Sequence, residues 1–60
     1  MDYIKIGGIG NYYGGLFIMS YNGNYYWIIE SYNTDFGDIT EWEEITKELY
    51  DSLIKFNNKT

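Results

Sequence analysis

The dipeptide Asn22-Gly23 constrains this chain more than any other feature. Both residues tolerate positive φ, which a type I′ turn demands at its two central positions, and the twist of that turn matches the strands it joins. Apolar and aromatic runs flank it: Leu16-Phe17-Ile18-Met19 before and Tyr25-Tyr26-Trp27-Ile28-Ile29 after. The stretch from Gly15 to Tyr32 therefore reads as a β-hairpin. Its register follows, with Tyr21 opposite Asn24, Ser20 opposite Tyr25, Met19 opposite Tyr26, Ile18 opposite Trp27, Phe17 opposite Ile28 and Leu16 opposite Ile29.

Alternation sorts these side chains onto two faces. One carries Leu16, Ile18, Tyr25, Trp27 and Ile29; the other carries Phe17, Met19, Tyr21, Tyr26, Ile28 and Tyr32. Both are apolar, whereas an antiparallel sheet with one solvated side alternates apolar with polar. One short helix covers one face. The expectation is that the second face, Phe17, Met19, Tyr21, Tyr26, Ile28 and Tyr32, is an interface that needs a partner, and a second copy about a two-fold axis is the simplest one.

Sixty residues make one domain, 1–60, near the size at which folding buries only about 60% of the unfolded surface. With no cysteine there is no disulfide framework or thiolate metal site, and with no histidine the commonest metal ligand and general base are missing. No cofactor is expected. The longest apolar or aromatic run, Tyr25 to Ile29, is far short of the roughly 20 residues that cross a bilayer, and Asp2 stands where a signal peptide would be basic. The expected location is the cytoplasm. Net charge is −5 with no arginine, which argues against direct nucleic-acid binding through phosphates and suits a basic partner.

Around the hairpin, Met1 to Ile6 reads as a first strand broken by Gly7-Gly8-Ile9-Gly10-Asn11. After Tyr12-Tyr13, the pair Gly14-Gly15 suggests a bulge or the close approach of another backbone. Tyr32 to Asp38 is dense in turn formers and reads as a loop. A helix is expected from about Lys47 to Phe56, with Leu49, Leu53 and Phe56 facing the sheet and Glu48, Asp51, Ser52 and Lys55 in water. Its start has two signals. Thr40-Glu41-Trp42-Glu43 fits a capping box that would put Trp42 on the helical stripe. Thr46 fits an N-cap with Ile45 and Tyr50 as a hydrophobic staple, leaving 40–45 extended. The fold class is α+β: a three-stranded antiparallel sheet, with a further short edge strand left open, covered on one face by one C-terminal helix.

Chemistry-bearing patterns are weak. Gly7, Gly8, Gly10, Gly14 and Gly15 lack the third fingerprint glycine, which would fall at Tyr13, and no P-loop lysine follows. Asn33, Asp35 and Glu44 occupy the first, third and twelfth positions of a calcium loop, but its sixth position is Asp38 rather than glycine. Glu41, Glu43 and Glu44 would need a sheltered cleft to act as acid and base, and a chain this small offers none. Catalysis is not expected. What stands out is charge: residues 33–60 hold seven of nine acids and three of four lysines, net −4, beside an almost uncharged hairpin. Glu41, Glu43, Glu44, Glu48 and Asp51 are expected to form an acidic partner face.

The chain has no Ala, Arg, Pro, Val or Gln but nine Ile and eight Tyr, a bias that AT-rich codons produce. Size, acidity and this bias resemble small early proteins of phages that infect Gram-positive bacteria. Asn11-Tyr12-Tyr13-Gly14-Gly15, Tyr25-Tyr26-Trp27-Ile28-Ile29-Glu30 and Trp42-Glu43-Glu44-Ile45 with Leu49-Tyr50-Asp51 are similar to the phage proteins that block the Hachiman defence system. That resemblance implies an inhibitor that binds a bacterial host defence protein directly, as a homodimer in the host cytoplasm. A dimer would double the acidic face and could imitate nucleic acid toward a helicase or nuclease. The alternatives are an acidic immunity protein or antitoxin, and a structural packaging module.

Overall fold

The computed structural model describes residues 2–11 and 14–58, with the backbone alone at 8–11. Four antiparallel strands lie in the order β1-β2-β3-β4. They are β1 (Tyr3–Asn11), β2 (Gly14–Tyr21), β3 (Asn24–Ile29) and β4 (Glu43–Ile45). Between β3 and β4 the chain makes a single 3-10 turn, Ile39–Glu41, and after β4 it ends in one helix, α1 (Lys47–Asn58). The fold is the expected α+β type, with the short edge strand present. Asn22 and Gly23 take φ of 51° and 82°, as a type I′ turn requires, and all six expected β2–β3 pairs form, from Tyr21 opposite Asn24 to Leu16 opposite Ile29.

The first strand is longer than its sequence suggests. Tyr3, Ile4, Lys5 and Ile6 pair with Met19, Ile18, Phe17 and Leu16, the register then shifts, and pairing resumes at Gly10 and Asn11. The glycines bend the strand through an irregularity instead of ending it. Met1, Tyr12 and Tyr13 lie outside the described residues. Gly14 meets the close approach expected of it: a Cβ there would sit 2.6 Å from the Glu30 carbonyl oxygen and 2.7 Å from the Glu30 Cβ.

Of the two helix starts, the second is used. The Thr46 hydroxyl accepts from the Leu49 amide at 3.1 Å, and the Thr46 carbonyl accepts the first helical bond, from Tyr50, at 3.0 Å. Ile45 and Tyr50 both pack on the core as a staple would place them. That core is aliphatic: Ile6, Leu16, Ile18 and Leu53 are buried, with Trp27, Ile45, Leu49, Tyr50 and Ile54 against them. Fully burying such a side chain contributes about 1.5–3 kcal/mol. Phe56 does not join this core and is 41% exposed. The packed stripe runs through Leu49, Tyr50, Leu53 and Ile54, and Phe56 falls on its flank.

The second face corrects the central expectation. Met19 and Ile28 are buried beneath their own chain, with Trp42 completing a separate core cluster against which Phe17, Tyr26, Phe36 and Ile39 pack. The cover is the segment 31–42. The first-start reading placed Trp42 on the helical stripe; it lies instead on the opposite side of the sheet, 6% exposed, its indole Nε1–H donating to the Phe36 carbonyl at 3.0 Å. Phe36 stacks on Tyr3 with centroids 4.7 Å apart and meets Phe17 edge-on at 4.8 Å. Local bonds shape the cover. Asp35 Oδ1 accepts from the Gly37 amide, and Asp38 Oδ1 accepts from both the amide (3.0 Å) and hydroxyl (2.7 Å) of Thr40. An apolar face therefore does not require a partner here, because three large side chains in a turn-rich loop suffice.

Candidate protein-binding site

The six side chains expected to form an interface are not one surface. Met19 is 1% and Ile28 8% exposed, and Phe17 and Tyr26 are half-buried against the same cluster. Tyr21 and Tyr32 are exposed, but they lie at opposite ends of the hairpin. The first precedes the turn, and the second follows β3 at its far end.

The five acids are all exposed, yet they do not share a face either. Glu43 stands opposite Trp27 and Glu44 opposite Tyr26, so alternation sends Glu43 to the helix side of the sheet and Glu44 to the loop side. Glu41 closes the 3-10 turn, while Glu48 and Asp51 project from α1. The Lys47 ammonium lies 2.8 Å from Asp51 Oδ2, one helical turn along, and that carboxylate raises the Lys47 pKa above its ordinary value. This is the one ion pair among the described residues, which leaves Glu41, Glu43, Glu44 and Glu48 without a cation. No group of three or more acids among the described residues is placed to hold a metal ion, and Asp35 of the calcium-like pattern spends Oδ1 on the Gly37 amide.

Charge and apolar surface meet at the open end of β3. There Leu16, Trp27 and Ile29 floor a shallow groove of about 610 Å³, with Glu41, Glu43 and Thr34 on its rim. Each part has a local cause. Trp27 and Ile29 point to the helix side by the hairpin register, but α1 leaves Ile29 49% exposed. Pairing of β4 with β3 places Glu43 beside Trp27, whose Nε1–H donates to Glu43 Oε1 at 3.0 Å. The 3-10 turn brings in Glu41, and it is held by Asp38, whose carboxyl the two Thr40 hydrogen bonds keep below its ordinary value. Chemically, the groove sets an indole and three aliphatic residues, Leu16, Ile28 and Ile29, beside two carboxylates without a cation, with polar Ser31, Asn33 and Thr34 completing the lining.

The sequence places Glu41 and Glu43 among partner-facing residues, whereas Leu16, Trp27 and Ile29 fall on the hairpin face of which some residues belong to the core, with nothing to say which stay open. The missed signal is length. A helix of twelve residues lying on one part of a four-stranded sheet leaves a strand end uncovered, and Ile29 is the last residue of β3. No helix of the described residues is long and apolar enough to cross a membrane. Comparison with protein-family models, with characterised proteins and with solved structures finds no match to this chain.

Proposed function

We propose that this chain is a binding protein that acts by occupying a basic surface of another protein, and that its target is a bacterial anti-phage defence protein. The observation that carries the reading is the set of exposed acids without cations, Glu41, Glu43, Glu44 and Glu48, two of them on the rim of an exposed apolar groove. Carboxylates without an internal cation give up no ion pair when a basic surface arrives, and the apolar floor supplies area that acids alone do not. The absence of histidine, cysteine and arginine supports occupancy over catalysis. The resemblance of the hairpin and Trp42-Glu43-Glu44-Ile45 segments to inhibitors of the Hachiman system supplies the target class.

The same reading includes a homodimer, with its seam moved from the covered face to a sheet edge. The β4 edge is three residues long and carries two glutamates, a combination that discourages pairing. Among the described residues no strand pairs with the outer edge of β1. Because Tyr21 and Asn24 close a two-residue turn, alternate residues of β2 direct their backbone groups to β3, and Leu16 and Ile18 direct theirs to Ile6 and Ile4. Tyr3 and Lys5 then turn their amides outward, as does Gly7, whose N–H is taken by Asn57 Oδ1 at 2.8 Å. That bond ends the free edge at Ile6, and a two-fold axis through Ile4, which is 41% exposed, would pair the remaining edge with its copy. Tyr3 would face Lys5 of the second copy, an aromatic–cation pair, with no like charges directly opposed.

The function is tested by counting plaques on a host carrying a Hachiman-type system. Wild type restores phage growth, and charge reversal at Glu41, Glu43, Glu44 and Glu48 abolishes the rescue; a reversed protein that is folded and still inhibits overturns the reading. Light scattering tests the dimer. Lys5→Pro removes an outward amide that the monomer does not use, so it yields a folded monomer while wild type dimerises. Wild type that stays monomeric at high micromolar concentration removes the dimer.

A further inference from the structure

The groove at the end of β3 is specific enough to name what it takes. Leu16, Ile29 and the half-buried Trp27 line its floor, and its rim carries the exposed Glu41 and Glu43, two residues apart in the chain. A purely apolar occupant would cover part of the hydration of both carboxylates and leave their charge unmatched. A bare cation would match the charge and leave the floor wet. The occupant must combine an apolar stem with a cationic head.

We infer that this groove seats an arginine side chain presented by the partner protein. The methylene stem lies over Leu16 and Ile29, as long cationic side chains lie along apolar surface. The guanidinium stacks on the Trp27 indole and donates to Glu41 and Glu43. Arginine fits better than lysine because its flat head stacks on an aromatic face and its fork of five N–H donors reaches two carboxylates at once, whereas an ammonium is a compact, strongly hydrated point charge. The 3.0 Å bond from Trp27 Nε1 to Glu43 Oε1 prepares the site: it fixes the indole and carboxylate relative to each other and leaves Oε2 as the acceptor. This inference rests on the reading that the chain binds a basic partner, and it adds which residue of that partner enters and where.

The indole N–H resonances give a direct readout. Trp27 and Trp42 each contribute one, and Trp42, buried on the other side of the sheet with its N–H on the Phe36 carbonyl, serves as an internal reference. The full chain, ¹⁵N-labelled, is titrated with three short Gly-rich peptides that are identical except for two central residues: arginine, lysine or uncharged citrulline. The arginine peptide shifts the Trp27 signal and leaves Trp42 in place; the lysine peptide binds more weakly, and citrulline weakest, by about fivefold or more relative to arginine. Glu43→Gln and Glu41→Gln each weaken the arginine peptide several-fold without altering the fold, as an unchanged Trp42 signal reports. Equal affinity for arginine and citrulline overturns the proposal, as do equal affinity for lysine and shifts that spare Trp27. Because the peptides report on the groove and plaque counting reports on inhibition, a failed titration with inhibition intact condemns the arginine seat and leaves the binding reading standing.

Discussion

The two faces of the sheet solve one problem with different materials. On one, α1 lays Leu49, Leu53 and Ile54 over Ile6, Leu16 and Ile18, an aliphatic core closed by regular structure. On the other, a thirteen-residue connection, 30–42, with one 3-10 turn lays Phe36, Ile39 and Trp42 over Met19 and Ile28, a core rich in aromatics and closed by hardly any regular structure. A helix satisfies its own backbone and presents many small contacts at a fixed period, so it covers area cheaply per hydrogen bond. A loop has no such period and must cover area with few side chains. Aromatics that bury about 150–250 Å² each make that feasible. Regularity and side-chain size are thus exchangeable means of closing a core, and a domain of sixty residues uses one on each side.

The sharpest way to break this equivalence is to empty each side in turn. Leu53→Ala costs about 2–5 kcal/mol and Trp42→Ala about 3–5 kcal/mol, against a total of roughly 3–5 kcal/mol for a domain of this size. Both variants lose their dispersed amide resonances. A Trp42→Ala protein that stays folded while Leu53→Ala unfolds would show that the loop is an ornament and the helix side alone holds the molecule.

That contrast also explains how much was readable beforehand. The hairpin register followed from Asn22-Gly23, because one turn type sets every pairing beyond it. The helix side follows from the 3.6-residue period of Leu49, Leu53 and their neighbours, although the sequence signals starts at Thr40 and Thr46 equally and only the structure selects Thr46. The loop side was opaque. Phe36, Ile39 and Trp42 are spaced by threes amid Asp, Gly and Thr, a pattern shared by ordinary exposed loops, and only tertiary packing selects it. From that one gap came the expectation that Phe17, Met19, Tyr26 and Ile28 awaited a partner. The groove was half readable: the acids of 41–44 were evident as charge, but the exposure of Ile29 depends on where α1 stops covering the sheet.

Smaller changes test the joints between the two sides. Gly14→Ala drives a methyl group to 2.6 Å from the Glu30 carbonyl oxygen, where the chain leaves β3 for the loop cover. The clash is with backbone and has no flexible tip to yield, so a cost of about 1–3 kcal/mol is expected in the urea midpoint. A cost near zero would mean that 30–42 moves freely against the hairpin. Thr46→Ala removes the hydroxyl that holds the Leu49 amide and costs about 1 kcal/mol, read as lowered helical signal and melting temperature together. If the indole N–H resonance of Trp42 loses its native position before the helical signal melts in that variant, the two sides are less coupled than one sheet implies.

The smallest effect separates the sides by chemistry alone. The helix is capped by a hydroxyl, which does not titrate, and the loop turn by a carboxylate, which does. Thr40 donates twice to Asp38, so its folded pKa lies below the ordinary value of 3.8. A depressed carboxylate pKa contributes stability that is complete above the unfolded value and is lost as pH falls through the folded one. The loop side should therefore loosen first on acidification below pH 3.8: the indole N–H resonance of Trp42 loses its native position while the helical signal persists. Asp38→Asn keeps an acceptor for the Thr40 amide and removes the titration, so the early loss should vanish in that variant although other carboxylates still protonate. If wild type and Asp38→Asn decline in parallel, acid acts through net charge, and the two caps do not distinguish the faces.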